Sequence, residues 1–500
     1  MKHSSIPAIA WTIAGSDSGG GAGIQADLAT FRDFGVHGCS AITALTAQNS
    51  LGVTDIAITS PGNLRAQLKA LADDLPAGAL KLGMLADADT VALVSDFLDG
   101  YSGKVVCDPV MISTSGSMLQ DEAGGRLLRE RLLPRADLIT PNRHEAEALL
   151  GRTLHSAADI ETAAADLLQL GPRSVLIKGG HFDIGSTRRR CDDYWTDGRD
   201  AFWLSGPRID TNDTHGTGCS LAAAVAAALA QDLSLLDALV LAKMYVSAGL
   251  RVARTLGQGP GPVGHVGSPR RIGIQDLPTL SRSLPSGQHP AFPDCGGELG
   301  LYPVVDSAAW IERLLPLGVT TIQLRIKDQP AERIEQQIVE AVALSRRYNA
   351  RLFINDYWQL AIRHGAYGVH LGQEDLDSAD LDTIRRAGLR LGISNHSYYE
   401  IARAHGIRPS YMALGPIFPT TTKVMKFSDQ GLIQLREWAE LLKPVYTLTA
   451  IGGINRERAP AVLASGAGSC AMVTAITLAA DVEGEVKHLL QLHRSAAAPV

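Results

Sequence analysis

Cysteine is sparse in this chain. Six occur in 500 residues, at Cys39, Cys107, Cys191, Cys219, Cys295 and Cys470, and no two are spaced as Cys-x-x-Cys. Such scatter argues against a disulfide framework or a cysteine-ligated zinc, and it implies reduced thiols and a cytoplasmic address. Positive charge is also in short supply. A net charge of −6 lacks the basic footprint of nucleic-acid binders, so no nucleic-acid partner is expected. The longest basic run, Arg188–Arg190, lies in a polar stretch and reads as a solvated loop. No stretch of 18 apolar residues occurs. No membrane-spanning helix and no membrane partner are therefore expected. The opening "MKHSSIPAIAWTIAGSD" holds only a short apolar run broken by Pro7. It makes a poor signal peptide and a better first strand.

What is present is the balance of a globular α/β protein, 45% hydrophobic and 20% charged. The length exceeds one ordinary domain, for which about 100–200 residues is usual. Composition breaks at "GHVGSPRRIGIQDLPTLSRSLPSGQHPAFPDCGG", Gly264–Gly297, rich in Pro, Gly and Ser and without sustained periodicity. The predicted division is a domain over 1–265, a linker over 266–297 and a domain over 298–500. No internal repeat relates the two halves.

Both halves alternate short apolar strands with amphipathic helices, the pattern of parallel sheets covered by helices. Strand candidates in the first half are "AIAWTIAG", "ALKLGML", "KVVCDPVM", "LITPN" and "SVLIKGG". Each ends in a polar or Gly-containing turn, where such sheets bind ligands. The second half offers eight: "LYPVV", "TIQLRI", "RLFIND", "YGVHLG", "RLGIS", "YMALGPIF", "YTLTAIGG" and "SCAMVT". Eight units of this kind fit a small (β/α)8 barrel. Its polar residues gather at strand ends: Gln323, Arg325, Lys327, Asn355, Asp356, Ser394, Lys423 and Gly453. That asymmetry points to an active site at the C-terminal face.

In the first half, "AGSDSGGGAGIQAD" (Ala14–Asp27) follows the first strand and passes into a helix. Alone it is a weak phosphate signal, with a flexible turn as the alternative. It is followed in order by "SAITALTAQNS", "KLGML", "CDPVM", "TPNRHEAEALLG", "IKGGH" and "THGTGCSLAAA". The series resembles the hydroxymethylpyrimidine kinase/phosphomethylpyrimidine kinase family, ribokinase-like enzymes of thiamine biosynthesis, over about residues 8–262. The resemblance implies that Asp27 and Gln48 hold the pyrimidine, with Gly15 close to the ring and Met84 packed on it. Without the family, Met84 would read equally as ordinary core. Asn142 and Glu145 resemble the motif that organises magnesium and phosphate, although an N-cap and capping box would look the same. Asp108 is a second acidic candidate near the metal, and Lys178 a candidate for the nucleotide phosphates.

The amides of "HGTGC", from Gly216 through Gly218 to Cys219, open a helix and should face an anion. The same field is expected to lower the Cys219 thiol from about 8.5. Ribokinase relatives generally carry an Asp base here. The pyrimidine kinases carry Cys, so the resemblance makes Cys219 the catalytic base. The alternative is a small packed residue, with catalysis left to positioning and charge stabilisation.

In the second half, "IQLRIKD" alternates, so Gln323, Arg325 and Lys327 should share one face of a strand. Two cations near a barrel mouth suggest polyphosphate. Asp356 and Asp375 end neighbouring strands and suit a shared magnesium, or alternatively cap helices. "GPIFPTTTKVMKF" brings hydroxyls and Lys423, while "IGGIN" and "AMVTAI" end the last two strands, the usual phosphate site. The set resembles thiamine-phosphate synthase over about residues 299–490. The resemblance implies that Gln323, Arg325, Lys327, Asn355, Ser394 and Lys423 bind a pyrimidine diphosphate. It likewise places magnesium on Asp356 and Asp375, and the thiazole phosphate at Thr420, Thr422, Gly453, Val473 and Thr474. In "GISNHS" the family often has Thr after Ser394, a small departure.

The expectation is thus a ribokinase-like α/β sandwich followed by a TIM barrel, using Mg2+ and ATP on small-molecule substrates. A homo-oligomer is expected. Consecutive reactions fit both halves: phosphorylation of hydroxymethylpyrimidine to its mono- and diphosphate, then coupling to thiazole phosphate. Alternatives are a pyridoxine-type kinase in the first half, or one half retained as a ligand sensor.

Overall fold

The computed structural model describes residues 7–111, 121–180, 190–285, 287, 289–420 and 428–497. The chain divides into two compact units, Met1–Gly287 and Gln288–Val500.

The first unit is built on one ten-stranded sheet, ordered β10-β9-β8-β7-β6-β5-β4-β1-β2-β3. Its strands are β1 (Ile9–Asp17), β2 (His37–Asn49), β3 (Gly52–Ile58), β4 (Ala79–Leu82), β5 (Lys104–Cys107), β6 (Leu138–Ile139), β7 (Val175–Ile177), β8 (Arg190–Thr196), β9 (Ala201–Pro207) and β10 (Thr279–Ser281). The middle of the sheet, β7 to β2, is parallel. Of these, β4 to β7 are short and mostly apolar, as strands covered on both faces are. β3, β8, β9 and β10 pair antiparallel, whereas parallel pairing is expected throughout from the sequence. The hairpin signal is local: "TDGRDA" turns β8 into β9, with Gly198 at φ 85° and the Asp197 amide donating to the Asp200 carbonyl.

The helix Thr217–Ala230 lies against β1, β4 and β5. Its run of alanines is fully buried, because small side chains let a helix pass close over a sheet. The helix Leu235–Val252 packs against it and against β9. Loops after β1, β4, β5, β6 and β7 all leave the sheet at its carboxyl edge, beside the start of Thr217–Ala230.

The second unit is a closed barrel of eight parallel strands: β11 (Gly300–Val305), β12 (Thr321–Leu324), β13 (Arg351–Asn355), β14 (Gly368–Leu371), β15 (Arg390–Asn395), β16 (Tyr411–Leu414), β17 (Thr447–Ile451) and β18 (Ser469–Met472). β18 closes on β11. This is the TIM barrel expected from the sequence. Its interior is aromatic, with ring centroids 5.0 Å apart for Phe353 and Tyr411 and 5.9 Å for Tyr302 and Tyr411. Glycine on the neighbouring strands makes room. A Cβ at Gly392 would run into the Tyr411 ring, and one at Gly368 into Phe353.

The segment expected as a linker, 266–297, does not stay free of either unit. Its first part belongs to the sheet, where β10 pairs with β9 and Asp276, 1% exposed, binds Arg251 at 2.7 Å. Its last part belongs to the barrel. Phe292 and Cys295 are buried, the Cys295 carbonyl accepts from Arg351 and Tyr367, and the Arg385 guanidinium lies 4.5 Å above the Phe292 ring. Proline and glycine remove the periodicity of such a stretch, yet single apolar anchors still dock.

The barrel boundary therefore matters. A fragment beginning at residue 289 should be more stable than one beginning at 298. Losing a buried Phe alone costs about 3–5 kcal/mol. Urea midpoints of the two fragments check this, and equal midpoints would show that the Phe292 and Cys295 contacts contribute nothing.

Candidate active sites

A cavity of about 780 Å³ opens at the carboxyl edge of the ten-stranded sheet. Gly15 and Met84 adjoin on its wall, since a Cβ on Gly15 would sit 3.1 Å from the Met84 sulfur. Gln48 lies beside them, its Oε1 accepting from Thr46 at 3.2 Å. His215 Nε2 is 3.0 Å from Asp17 Oδ2 and 3.4 Å from Gln48 Nε2. Asp17 also accepts from the amides of Gly19, Gly21 and Ala22, tying the glycine loop together. The sequence reading missed Asp17 and His215, although both stand inside its quoted motifs, "AGSDSGGG" and "THGTGC".

Asp27 is a correction. It is not on the cavity wall but behind it, fully buried on the inner face of the helix Gly23–Asp33. Its carboxylate binds Lys81 Nζ at 2.8 Å and accepts from Thr12 at 2.6 Å, while Oδ1 has no hydrogen-bond partner. Lys81, unassigned from sequence, borders the cavity in its place.

Cys219 stands in the first turn of Thr217–Ala230, half-buried at the cavity. Gly216 opens that turn at φ 80°, where a Cβ would strike the Gly21 carbonyl. The expected low thiol pKa is not found. Burial pushes the Cys219 thiol up to about 11, and the Lys81 ammonium only partly offsets it. Desolvation outweighs the helix field here.

Also on the cavity wall, Lys178 Nζ binds Asp108 at 2.6 Å and lies 3.8 Å from Glu145. Thr140 also donates to Asp108. Gly218 faces this cluster, since its Cβ would be 3.1 Å from Lys178 Nζ and 3.5 Å from Asp108 Oδ2. Asn142 and Glu145 form a complete capping box, with reciprocal bonds of 3.0 and 2.7 Å. Burial raises the Glu145 carboxyl to about 7, helped by Asp108 and opposed by Lys178.

In the barrel, β12 ends at Leu324. Arg325 and Lys327 thus lie beyond the strand on the loop that follows, rather than sharing a strand face with Gln323. Gln323 and Asn355 are buried at the inner end of the mouth. Lys327 is exposed and pairs with Asp356. Asp356 leaves β13 in the left-handed region, at φ 66°, with its amide bonded to the His370 carbonyl. A non-glycine residue there is held by its surroundings at some cost in strain. Asp375 accepts from the Gly372 amide at 3.0 Å, and burial raises its carboxyl, with Asp356 adding to the effect. Ser394 Oγ lies 2.8 Å from His370 Nε2. Gly453, at φ 62°, has its carbonyl bound by Arg458 at 2.6 Å, and Arg458 stacks 4.6 Å from the Phe418 ring. Val473 and Thr474 open a one-turn helix after β18. Thr420 is the last residue described in its loop; Thr422 and Lys423 lie outside the described residues. The sequence reading also missed His370, Tyr302 and Tyr411, whose hydrogen bonds reach Gln323 and Ser394.

A family model described as phosphomethylpyrimidine kinase matches residues 17–264, and one described as thiamine monophosphate synthase matches residues 301–476. Thiamine-phosphate synthase of Photorhabdus laumondii is 62% identical over 194 residues, 39% of this chain and 89% of that protein. Among solved structures, pyridoxal kinase from Staphylococcus aureus in complex with AMP-PCP and pyridoxal is 29% identical. It covers 55% of this chain and 98% of its own, with a TM-score of 0.50. Phosphomethylpyrimidine kinase from Clostridium difficile is 36% identical, covering 48% of this chain and 98% of its own, with a TM-score of 0.43.

Two barrel histidines give a pH signature. Burial lowers His370 and His405 to about 4 each, against about 6.5 in an unfolded chain. The unfolded state then binds more protons between those values. The stability these groups supply is complete above about pH 6.5 and is lost as pH falls toward about 4. The thermal midpoint of the barrel transition in the full chain should therefore fall between pH 7 and 5. His405→Gln should flatten that fall; an unchanged slope would clear His405 of any part in it.

Proposed function

Since the chain belongs to the thiamine-phosphate synthase family through its barrel, carries a phosphomethylpyrimidine kinase domain before it and acts in thiamine biosynthesis, we propose how its residues divide the work. The kinase half phosphorylates hydroxymethylpyrimidine and then its monophosphate, with ATP as donor. The barrel joins the resulting diphosphate to thiazole phosphate, releasing pyrophosphate. The observation that carries the kinase assignment is the convergence on one cavity of Gly15, Gln48, Met84 and Cys219 with Asp108, Glu145 and Lys178.

In the kinase cavity the pyrimidine lies against Gly15 and Met84, with the Gln48 amide on its edge. Its alcohol faces Cys219, and the transferred phosphate lies on the amides of Gly216–Cys219, the position a helix start offers an anion. Lys178 meets the developing charge on the phosphates. Asp27 acts through Lys81, holding the ammonium beside the thiol, so that removal of the alcohol proton to Cys219 is helped by a fixed positive charge.

Magnesium fits both sites. Asp108 raises the cost of ionising Glu145, and Asp356 that of ionising Asp375; a hard cation with one or two carboxylates and phosphate oxygens relieves that conflict. Bound there, it would neutralise charge on the phosphate oxygens. In the barrel, Gln323, Asn355 and Ser394 orient the pyrimidine, and Arg325, Lys327 and Lys423 take the diphosphate. The C–O bond breaks with its electron pair going to the diphosphate, while the ring amino group stabilises the cation left behind. The thiazole nitrogen then forms the new C–N bond. That nitrogen carries no proton, so the barrel needs no general base. Thr420, Thr422, Gly453, Val473 and Thr474 hold the thiazole phosphate.

A second reading of the kinase half, phosphorylation of pyridoxal-type alcohols, is favoured by the similarity to the staphylococcal pyridoxal kinase. Comparing kcat/KM for the two alcohols decides between them. Six free cysteines support a reducing, cytoplasmic setting. Exposed Leu45, Leu51 and Ile58 on the β2–β3 hairpin support a homo-oligomer.

Cys219→Ala should slow both phosphorylations by about 10²–10⁴-fold and leave coupling of supplied diphosphate intact. With the thiol near 11, the wild-type kinase rate should climb across pH 7–9 as thiolate accumulates, and the variant should be flat. A wild-type profile that is itself flat would remove Cys219 as base.

Asp356→Asn and Asp375→Asn should each depress coupling, in part restored by excess magnesium, with kinase activity unchanged. Lys423→Ala should stay impaired at saturating magnesium. Coupling rate against magnesium for the three variants is the check. Both Asn variants keeping the wild-type rate and magnesium dependence would make the carboxylates structural.

A further inference from the structure

Five side chains form a continuous hydrogen-bonded chain across the barrel interior. Gln323 Nε2 donates to the Tyr302 hydroxyl at 3.2 Å. The Tyr302 and Tyr411 hydroxyls are 2.9 Å apart. The Tyr411 hydroxyl is 2.7 Å from His370 Nδ1, and His370 Nε2 is 2.8 Å from Ser394 Oγ. Its three inner members come from β11, β16 and β14, and all are buried. Its two ends are the residues assigned above to the pyrimidine.

A hydroxyl has one proton to give and a neutral imidazole has one N–H. Each link holds only one proton, and a buried O–H without an acceptor is costly, so a single arrangement gives every proton in the chain a partner. With the Gln323 N–H given to Tyr302, that arrangement has Tyr302 donating to Tyr411 and Tyr411 donating to His370 Nδ1. His370 therefore carries its own proton on Nε2 and gives it to Ser394. The chain leaves for a ligand the Gln323 Oε1 as acceptor, with the second Nε2–H beside it, and the Ser394 O–H as donor. Reversing either end means turning over all five groups together, and stopping part-way leaves a buried polar group unpaired, at about 1–3 kcal/mol.

We propose that Tyr302, Tyr411 and His370 are positioning residues that lock Gln323 as acceptor and Ser394 as donor, so that the barrel selects a 4-aminopyrimidine diphosphate over its 4-oxo counterpart. The amino compound offers an exocyclic N–H beside a ring nitrogen lone pair. The oxo compound offers the opposite order, a carbonyl beside a ring N–H. The inference rests on the assignment of Gln323 and Ser394 to the pyrimidine. It explains how a site can demand the amino group that the chemistry needs without a charged residue to read it.

The test is the coupling reaction of the full chain, which reports on the barrel alone. The KM of the amino diphosphate is compared with the inhibition constant of the oxo diphosphate. The wild type should prefer the amino compound by at least about 100-fold, as sites built around hydrogen-bonding groups do. Tyr411→Phe and Tyr302→Phe should each cut that preference at least tenfold, with the KM for thiazole phosphate within twofold of wild type. The double variant should lose no more than either single one, because one chain is broken once. Preference within twofold of wild type in both folded single variants would overturn the proposal. A second readout needs no variant for its outcome: ¹⁵N resonances of His370 in the diphosphate-bound protein should show the Nε2–H tautomer alone, and a mixture would overturn the proposal. If instead Gln323→Ala and Ser394→Ala leave the KM for the amino diphosphate unchanged, the pyrimidine assignment itself fails, whatever the tyrosines do.

Discussion

A parallel strand covered on both faces has few places for a polar side chain except its ends. That constraint organises both units. In the sheet, β4 is buried at every residue, and in the barrel β12, β14, β16 and β18 are too. Chemistry is pushed to the carboxyl edge, where the backbone turns and donors and acceptors become available. The two active sites are thus built alike, although one belongs to an open sheet and the other to a closed barrel. Two of the interior exceptions pair among themselves. Lys81 and Asp27 neutralise each other beneath the kinase cavity, as buried charges must, and the barrel tyrosines and histidine bond to one another.

Much of this was legible in the residues. Eight apolar runs bounded by turns gave the barrel strands, and Asn142 with Glu145 spelled a capping box that forms as written. "HGTGC" announced a helix start, and the helix Thr217–Ala230 begins there. What sequence reading missed has physical causes. Asp27 sits in a motif beside the ligand loop, but its position on the helix turns it inward, and only the depth of Lys81 on β4 shows what it binds. At Cys219 the helix field alone predicts a low thiol pKa; burial, which no motif encodes, is the larger effect. Arg325 and Lys327 followed a strand alternation that stops at Leu324. The chain from Gln323 to Ser394 joins residues as much as 109 positions apart, a spacing that no local pattern carries.

The segment 266–297 shows the limit of composition as a guide. Its prolines and glycines removed every periodic signal, and yet Leu280, Phe292 and Cys295 each find a core. An anchor needs only one apolar side chain and a backbone partner. A stretch of this kind finishes the domains on either side of it.

The missing side chain at Gly392 carries a historical consequence. The Tyr411 ring occupies the space that any larger residue there would need, and the Tyr411 hydroxyl is also a link in the buried chain. A lineage cannot enlarge position 392 first, because the ring is in the way. Nor can it trim position 411 first without severing the link to His370. The two positions can drift only together, so descendants of this barrel should inherit them as a pair.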